Sequence, residues 1–359
     1  MHFLINNLSL AKLKKDMYQF QCDYSEGAHP RILELLCRTN LEQTVGYGED
    51  HYCAEARDAV RKAVGRDDAD VHFLVGGTQT NATVISSILR PHQGVVCAVS
   101  GHINVHETGA IEHGGHKVLA LESSDGLLTA ESIRDAVESH YAEDGPEHVV
   151  QPGMVYISFS SEVGTVYTLR QLKEISQVCR EYSLPLFIDG ARMGYALASE
   201  GCDVTLEDIA SLADVFYIGG TKQGALFGEA VVIVNEALKK DFRYFIKQNG
   251  GMLAKGRLLG IQFLALFEDD LYFRLSEHAV SQALKIRDAF RQKGYEFLVD
   301  SPSNQQFPIV DNETLERLAA DFRFSVWKKV DDKHTAVRFC TSWATETEAS
   351  DALVRAILQ

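Results

Sequence analysis

Between about residue 52 and residue 234, short β-branched runs alternate with stretches of helical periodicity, and this alternation constrains the fold more than any other property of the chain. The strand candidates are VHFLV, GVVCAV, KVLAL, GMVYIS, LPLFI, DVFYI and EAVVIV, seven in all. Runs that are apolar at nearly every position suit strands buried on both faces, and strands separated by helices pair in parallel through crossovers. The expected architecture is therefore α/β: a mostly parallel seven-stranded sheet with helices on both faces. One intervening helix, Thr168 to Glu181, opens on Thr168 and Gln171, whose side chains can satisfy each other's free backbone amides.

After Ala237 the rhythm changes. A long helical stretch, Arg257 to Gln292, precedes the runs YEFLV, QFPIV, FSVWKK and TAVRFC, with helices from Glu313 and from Glu346. A smaller α+β C-terminal domain is expected there, its last helix opened by the pair Thr345 and Glu348. The division is placed at residues 30–240 for the large domain and 241–359 for the small one, with segment 1–29 a candidate to pack on the latter. A chain of 359 residues that is 45% hydrophobic can bury cores of that size.

The formal charge of −15 is spread along the chain, which argues against nucleic acid or an anionic membrane surface as a partner and fits a small-molecule enzyme better. Seven scattered cysteines without a Cys-x-x-Cys suit reduced thiols. The N-terminus MHFLINNLSLAKLKKDM carries its lysines after its apolar stretch and makes a poor targeting signal. No apolar run approaches the roughly 18 residues of a membrane span. The cytoplasm is the expected compartment.

Two motifs carry chemistry. Asp189 ends the apolar run of LPLFIDGARMG, and Lys222 follows another in IGGTKQGALFG, 33 positions on (222 − 189). An aldehyde cofactor such as pyridoxal phosphate needs one amine for a Schiff base and one carboxylate to keep its pyridine nitrogen protonated. Both groups stand at strand ends, where an open α/β sheet binds its ligand. Gln223 after Lys222 excludes a nucleotide P-loop, and no Gly-x-Gly-x-x-Gly follows the first strand to suit a nicotinamide nucleotide. In LVGGTQTNATVISSIL a glycine turn leads into an apolar helix, so the amides of Gly77, Thr78 and Gln79 could cradle a phosphate, although an ordinary helix start would read the same way. His102, in SGHINVHETGAIEHGG, follows a strand, and its flat ring could stack on a pyridine and shuttle protons. The spacing of His102 and His106 resembles a zinc helix, but the His-Glu-x-x-His order is absent, and no metal is expected.

Taken in order, YGED at Tyr47 to Asp50, GGTQTN at Gly76 to Asn81, His102 with Glu107, DGAR at Asp189 to Arg192, and Thr221 with Lys222 resemble the low-specificity threonine aldolases, a group of fold-type-I pyridoxal phosphate enzymes also described as β-eliminating lyases. The resemblance spans about Ser25 to Arg338. It implies pyridoxal 5'-phosphate as cofactor, Lys222 as its Schiff-base amine, Asp189 on the ring nitrogen, His102 stacked on the ring, and Gly77 and Thr78 on the phosphate. It also implies that Ser25, Arg192 and Arg338 hold the cofactor oxygen and the substrate carboxylate, for which an arginine fork is suited. The implied reaction is retro-aldol cleavage of a β-hydroxy-α-amino acid, threonine or allo-threonine, to glycine and acetaldehyde. The implied assembly is a homodimer or homotetramer with shared active sites, completed through Tyr47 or Lys255.

The chain departs from the family pattern at ISFSSEVGTVYT, where Ser161 stands in place of a candidate proton-accepting histidine, with Glu162 beside it. Serine is a poor base at neutral pH, so the proton must pass to His102, His106, Glu162 or a held water, and Glu162 is taken as a catalytic candidate. In GGMLAKGR a phosphate-contacting arginine is displaced, leaving Lys255 or Arg257 as substitutes. Two other readings fit the same residues: β-elimination from an aromatic or sulfur amino acid or transamination, and a non-catalytic cofactor-binding protein.

Overall fold

The computed structural model describes residues 17–359, so the targeting-signal reading lies outside the described residues for positions 1–16. The first strand, β1 (Tyr18–Gln19), belongs to a minor sheet described below. The next seven build the large sheet: β2 (Asp70–Leu74), β3 (Gln93–Ala98), β4 (Lys117–Leu121), β5 (Gln151–Ser158), β6 (Leu186–Asp189), β7 (Val215–Gly219) and β8 (Glu229–Ile233). Their spatial order is β2-β8-β7-β6-β5-β3-β4. β8 pairs antiparallel with both β2 and β7, while the other pairs are parallel. The cause is chain length: only nine residues, 220–228, join β7 to β8, fewer than the dozen or so that a crossover needs.

Alternate residues of these strands fill two cores, as the period of two requires. Val155, Ile157, Leu186, Ile188, Phe216 and Ile218 face one layer of helices. Met154, Tyr156, Phe187, Val215 and Tyr217 face the other. The helix Arg257–Phe267 buries Phe263 and Leu266 in the first core and lies against the helix His51–Val64. Gly260 permits that approach, since a Cβ there would come within 2.7 Å of the Cys53 Cα.

The second sheet contains β9 (Gln305–Gln306), β10 (Ile309–Asp311), β12 (Ser325–Lys329) and β13 (His334–Cys340), with β13 central, while β11 (Phe322–Arg323) pairs with β1. Phe20, Phe290, Phe322 and Phe339 form its core with the helix Thr347–Leu358. The helix Leu271–Gln292 serves both units: Tyr272 packs under the large sheet, and Ile286 and Phe290 under the small one.

Local expectations fare unevenly. Thr168 and Gln171 form their reciprocal cap. Thr345 does not cap the last helix; its hydroxyl accepts from the Ser342 amide at 2.8 Å, and the helix begins at Thr347. The run from Arg257 to Gln292 is two helices, broken where Asp269 and Asp270 take left-handed φ of 52° and 55°. YEFLV contributes only a bridge from Phe297 to Pro308, and that proline, lacking an N–H, separates β9 from β10.

Candidate active site

The parallel strands end together along one edge of the large sheet, and because β8 runs backwards its first residue, Glu229, comes to the same edge. A cavity of about 340 Å³ opens there, within the usual range of small-molecule sites. Lys222, Asp189, His102, Glu162, Arg192 and Thr221 all line it, as do Gly77 and Thr78.

Asp189 is the last residue of β6, and the sheet register sets it between two tyrosines. Tyr156 and Tyr217 each stand two positions before the end of a neighbouring strand, so both point to the face that Asp189 uses. The Tyr156 hydroxyl donates to Asp189 Oδ2 at 2.5 Å, and the Tyr217 hydroxyl to Oδ1. The Ala191 amide adds a bond to Oδ1 at 3.0 Å and Asn81 Nδ2 one to Oδ2 at 3.1 Å. Burial works to raise this carboxyl, but the His102 imidazole and the bonds from both tyrosines and Ala191 outweigh it and hold the group below the usual carboxylate range. Asn81 also donates to Glu107 Oε1 at 2.7 Å, which lies 2.8 Å from His102 Nδ1. A buried line of contacts thus orients the His102 ring from the floor of the cavity.

The helix Gly77–Ile88 starts at this edge without a side-chain cap on Gly76. Its first backbone bond runs from the Thr80 amide to the Gly76 carbonyl at 3.0 Å. The amides of Gly77, Thr78 and Gln79 are those that a helix start leaves without an intrahelical partner. A Cβ at Gly77 would lie 3.3 Å from the Tyr217 hydroxyl, so a side chain would narrow the cradle. The Gln79 side chain itself is engaged away from the cavity, bonded to the Val75 amide and the Asn249 carbonyl.

Arg192 is held by a residue that sequence reasoning missed. Its Nε and a terminal nitrogen donate to Asp23 at 2.7 and 3.1 Å, and Asn304 adds a bond to the same carboxylate at 2.9 Å. Burial opposes ionisation of Asp23, yet Arg192 and Lys222, with the bonds from Arg192 and Asn304, bring it down to about 2. The other terminal nitrogen of the guanidinium remains for a ligand. No local sequence signal marks this aspartate, whose partners lie 169 and 281 positions away.

The segment after β5 corrects one expectation. Ser161 is fully buried, its hydroxyl 2.5 Å from that of Thr165, and it does not reach the cavity. Its neighbours Ser160 and Glu162 line the cavity instead. Glu162 Oε1 accepts from the Ser158 hydroxyl at 2.7 Å and the His102 amide at 2.9 Å. Burial raises its carboxyl above the usual range, against the pull of the Ser158 hydroxyl, its own amide and the His102 ring.

Lys222 stands in the turn between β7 and β8. Burial, aided by Arg192, lowers its amine below the ordinary lysine value, although Asp23, Asp189 and Glu229 oppose this. Thr221 turns its hydroxyl to Glu229 Oε1 at 2.9 Å, and the Gly220 amide reaches Oε2 at 3.1 Å. In the sequence, Glu229 shows only as the first residue of the strand candidate EAVVIV. The shortness of the 220–228 connection was the signal that would have brought it to the site.

Other expected residues stand apart from the cavity lining. Ser25 is exposed, 3.2 Å from Cys22 Sγ, while Tyr24 takes the cavity wall. Arg338 donates to the Gln21 carbonyl at 2.9 Å and lies 5.1 Å over the Trp327 ring, with its Nε buried and unpartnered. Arg257 bonds the carbonyls of Thr39 and Asn40 at 2.9 and 3.1 Å, closing the helix Pro30–Thr39, and Lys255 is exposed.

Residues 20–312 match the beta-eliminating lyase family. The low specificity L-threonine aldolase of Pseudomonas aeruginosa is 31% identical over 343 residues, covering 94% of this chain and 96% of that protein. That of Pseudomonas sp. is 32% identical over 332 residues, covering 91% and 93%. The structure of Leishmania major threonine aldolase superposes with a TM-score of 0.92 at 45% identity, over 95% of this chain and 98% of that one.

Proposed function

The chain belongs to the beta-eliminating lyase family, and from that premise we propose that it cleaves a β-hydroxy-α-amino acid by a retro-aldol reaction, threonine or allo-threonine giving glycine and acetaldehyde. The observation that carries the reading is the meeting of an amine, a fully bonded carboxylate and a held guanidinium, Lys222, Asp189 and Arg192, in one cavity. The cofactor is pyridoxal phosphate, and the residues present fit it: the uncapped helix start suits a phosphate, and Asp189 lies in the floor of the same cavity. Bound there, it supplies an electron-accepting ring for the carbanion left when the Cα–Cβ bond breaks.

The chain's own residues have separable tasks. Lys222 supplies the amine, and Asp189, kept ionised by its donors, presents negative charge to the ring nitrogen. Gly77, Thr78 and Gln79 present amides to the phosphate, and Thr221 fixes the turn that carries Lys222. Arg192, held by Asp23, grips the substrate carboxylate with its remaining N–H groups, which sets the orientation of the bonds at Cα. Arg338 and Ser25, which lie outside the cavity lining, are outer positions toward the same end of the substrate. Glu162 takes the β-hydroxyl proton, and its raised carboxyl is better matched to that task at neutral pH than an ordinary glutamate would be. His102 flanks the ring as a stacking group.

We divide the chain at about residue 240, with segment 17–29 docked on the small unit. The exposed apolar side chains Leu41, Val45, Tyr47 and Tyr244 support a homodimer or homotetramer. Among the described residues no helix is long and apolar enough to cross a membrane. Seven free cysteines favour the cytoplasm. The test is to add L-threonine to the loaded protein and assay glycine and acetaldehyde together. Equimolar products well above the free-cofactor rate are expected. Pyruvate and ammonia from another amino acid, with no aldehyde, would move the assignment to β-elimination; a bound cofactor with no turnover of any amino acid would leave a binding protein.

A further inference from the structure

Glu229 is 3% exposed and among the described residues has no ion-pair partner within 4 Å, yet it lines the cavity that holds Lys222. Its two oxygens are fixed by the two residues that immediately precede the lysine, the Gly220 amide and the Thr221 hydroxyl. The carboxyl is thus tied to the backbone that carries the amine. A buried carboxylate held by only two neutral donors is costly unless a cation or a proton compensates it. We propose that Glu229 is the proton partner of Lys222 through one water held between them in the cavity: its carboxylate takes, by way of that water, the proton that the ammonium must shed before the amine can bond a carbonyl, and returns it when the amine is set free. The N–H bond breaks with its electron pair staying on nitrogen, and an O–H bond forms on Glu229, so no other reactant is needed.

The electrostatics support this placement. Burial raises Glu229 to about 8 against the pull of Thr221, Lys222 and Gly220, while Asp189 pushes the same way as burial. Burial and Arg192 lower Lys222. Both groups therefore move toward their neutral forms, which shifts the proton from the amine toward the carboxyl and links the two titrations. The other charged or titratable groups that face the pair are Asp23 from the N-terminal segment, Asp189 at the end of β6 and Arg192 just after it, Tyr195 from the helix Met193–Leu197, whose hydroxyl donates to the Lys222 carbonyl, Tyr217 from β7 and Tyr272 from the helix Leu271–Gln292. None of them is fastened to the turn of Lys222 through both carboxyl oxygens as Glu229 is.

A mere brace for the turn would make the same two hydrogen bonds, so the test must read the proton. The inference rests on Lys222 being the amine that bonds the cofactor, but it can be examined without cofactor or substrate, so its failure is distinct from failure of the aldol assay. Cofactor-free protein is trace-acetylated with acetic anhydride across the range from about pH 6 to about pH 10, and Lys222 modification is quantified by mass spectrometry against exposed Lys255. In Glu229→Gln the Lys222 midpoint should fall and its labelling near neutral pH rise by about tenfold, as expected when an opposite charge is removed. Glu229→Asp should recover part of the shift. A Glu229→Gln profile that overlays the native one, with an unchanged melting curve, would overturn the proposal and leave a brace. If that variant does not fold, the native profile decides: a broadened, two-step titration supports the pair, and a single independent step refutes it.

Discussion

The floor and the rim of the cavity are built differently. On the floor, Asp189 receives four donors, Tyr156 and Tyr217 from flanking strands, Ala191 from the turn after β6 and Asn81 from the helix Gly77–Ile88, and strand register sets the two tyrosines in place. On the rim, Arg192 depends on Asp23 from the N-terminal segment and Asn304 near the small sheet, while Arg338 and Ser25 stand behind the wall. A site made by adjacent strands of one sheet is preorganised as soon as the sheet forms. A site made between layers also needs those layers to dock.

Substitutions can break or sharpen this contrast. The largest effect should come from the floor. Asp189→Asn keeps the shape and removes the charge; losing one partner of a buried charge pair costs about 2–5 kcal/mol, so kcat should fall about 30- to 5,000-fold in the steady-state assay. A loss below tenfold would mean that the four donors, not the charge, matter. Next is the joint between floor and rim. The folded Asp23 carboxyl lies at about 2 against an ordinary 3.8, so its stabilisation is present above pH 4 and is lost as pH falls through about 2. That difference amounts to about 2 kcal/mol. Urea titrations of Asp23→Asn should show a deficit of that order at pH 6 that shrinks at pH 3; a constant deficit would mean the bond geometry matters and the charge does not.

On the rim proper, Arg338→Gln should raise KM for the amino acid by about tenfold with kcat little changed, the signature of lost ground-state binding. An unchanged KM would leave Arg192 as the sole carboxylate grip. Ser25→Ala should be the mildest, within about twofold in kcat/KM, as surface changes are generally worth less than about 0.5 kcal/mol. A tenfold loss there would show that the rim closes over the substrate.

The floor was largely legible in the sequence and the rim was not, for a physical reason. Strand periodicity and the turn glycines located Asp189, Lys222, His102 and the Gly77 amides, because residues at strand ends converge whenever strands run parallel. The same assumption hid Glu229, since a parallel β8 would have carried it to the opposite edge of the sheet. Ser161 and Glu162 alternate in direction, and only the turn closed by Thr165 shows which of them faces inward. Tyr156 and Tyr217 looked like ordinary core residues of GMVYIS and DVFYI, and their hydroxyls gain a role only through registration with β6. Asp23 had no local signal at all, being defined by partners 169 and 281 positions away.

The order of the large sheet also bears on how the molecule comes into being. β2, the first of its strands to leave the ribosome, pairs only with β8, whose first residue lies 155 positions after the end of β2 (229 − 74). While the intervening chain is being made, the strand that leads into the Gly77 turn has no neighbour, and β3 to β7 can assemble without it. The Gly77 turn and the lysine turn flank that last-closed seam, so a nascent chain has no complete cavity until residues beyond Ile233 have emerged.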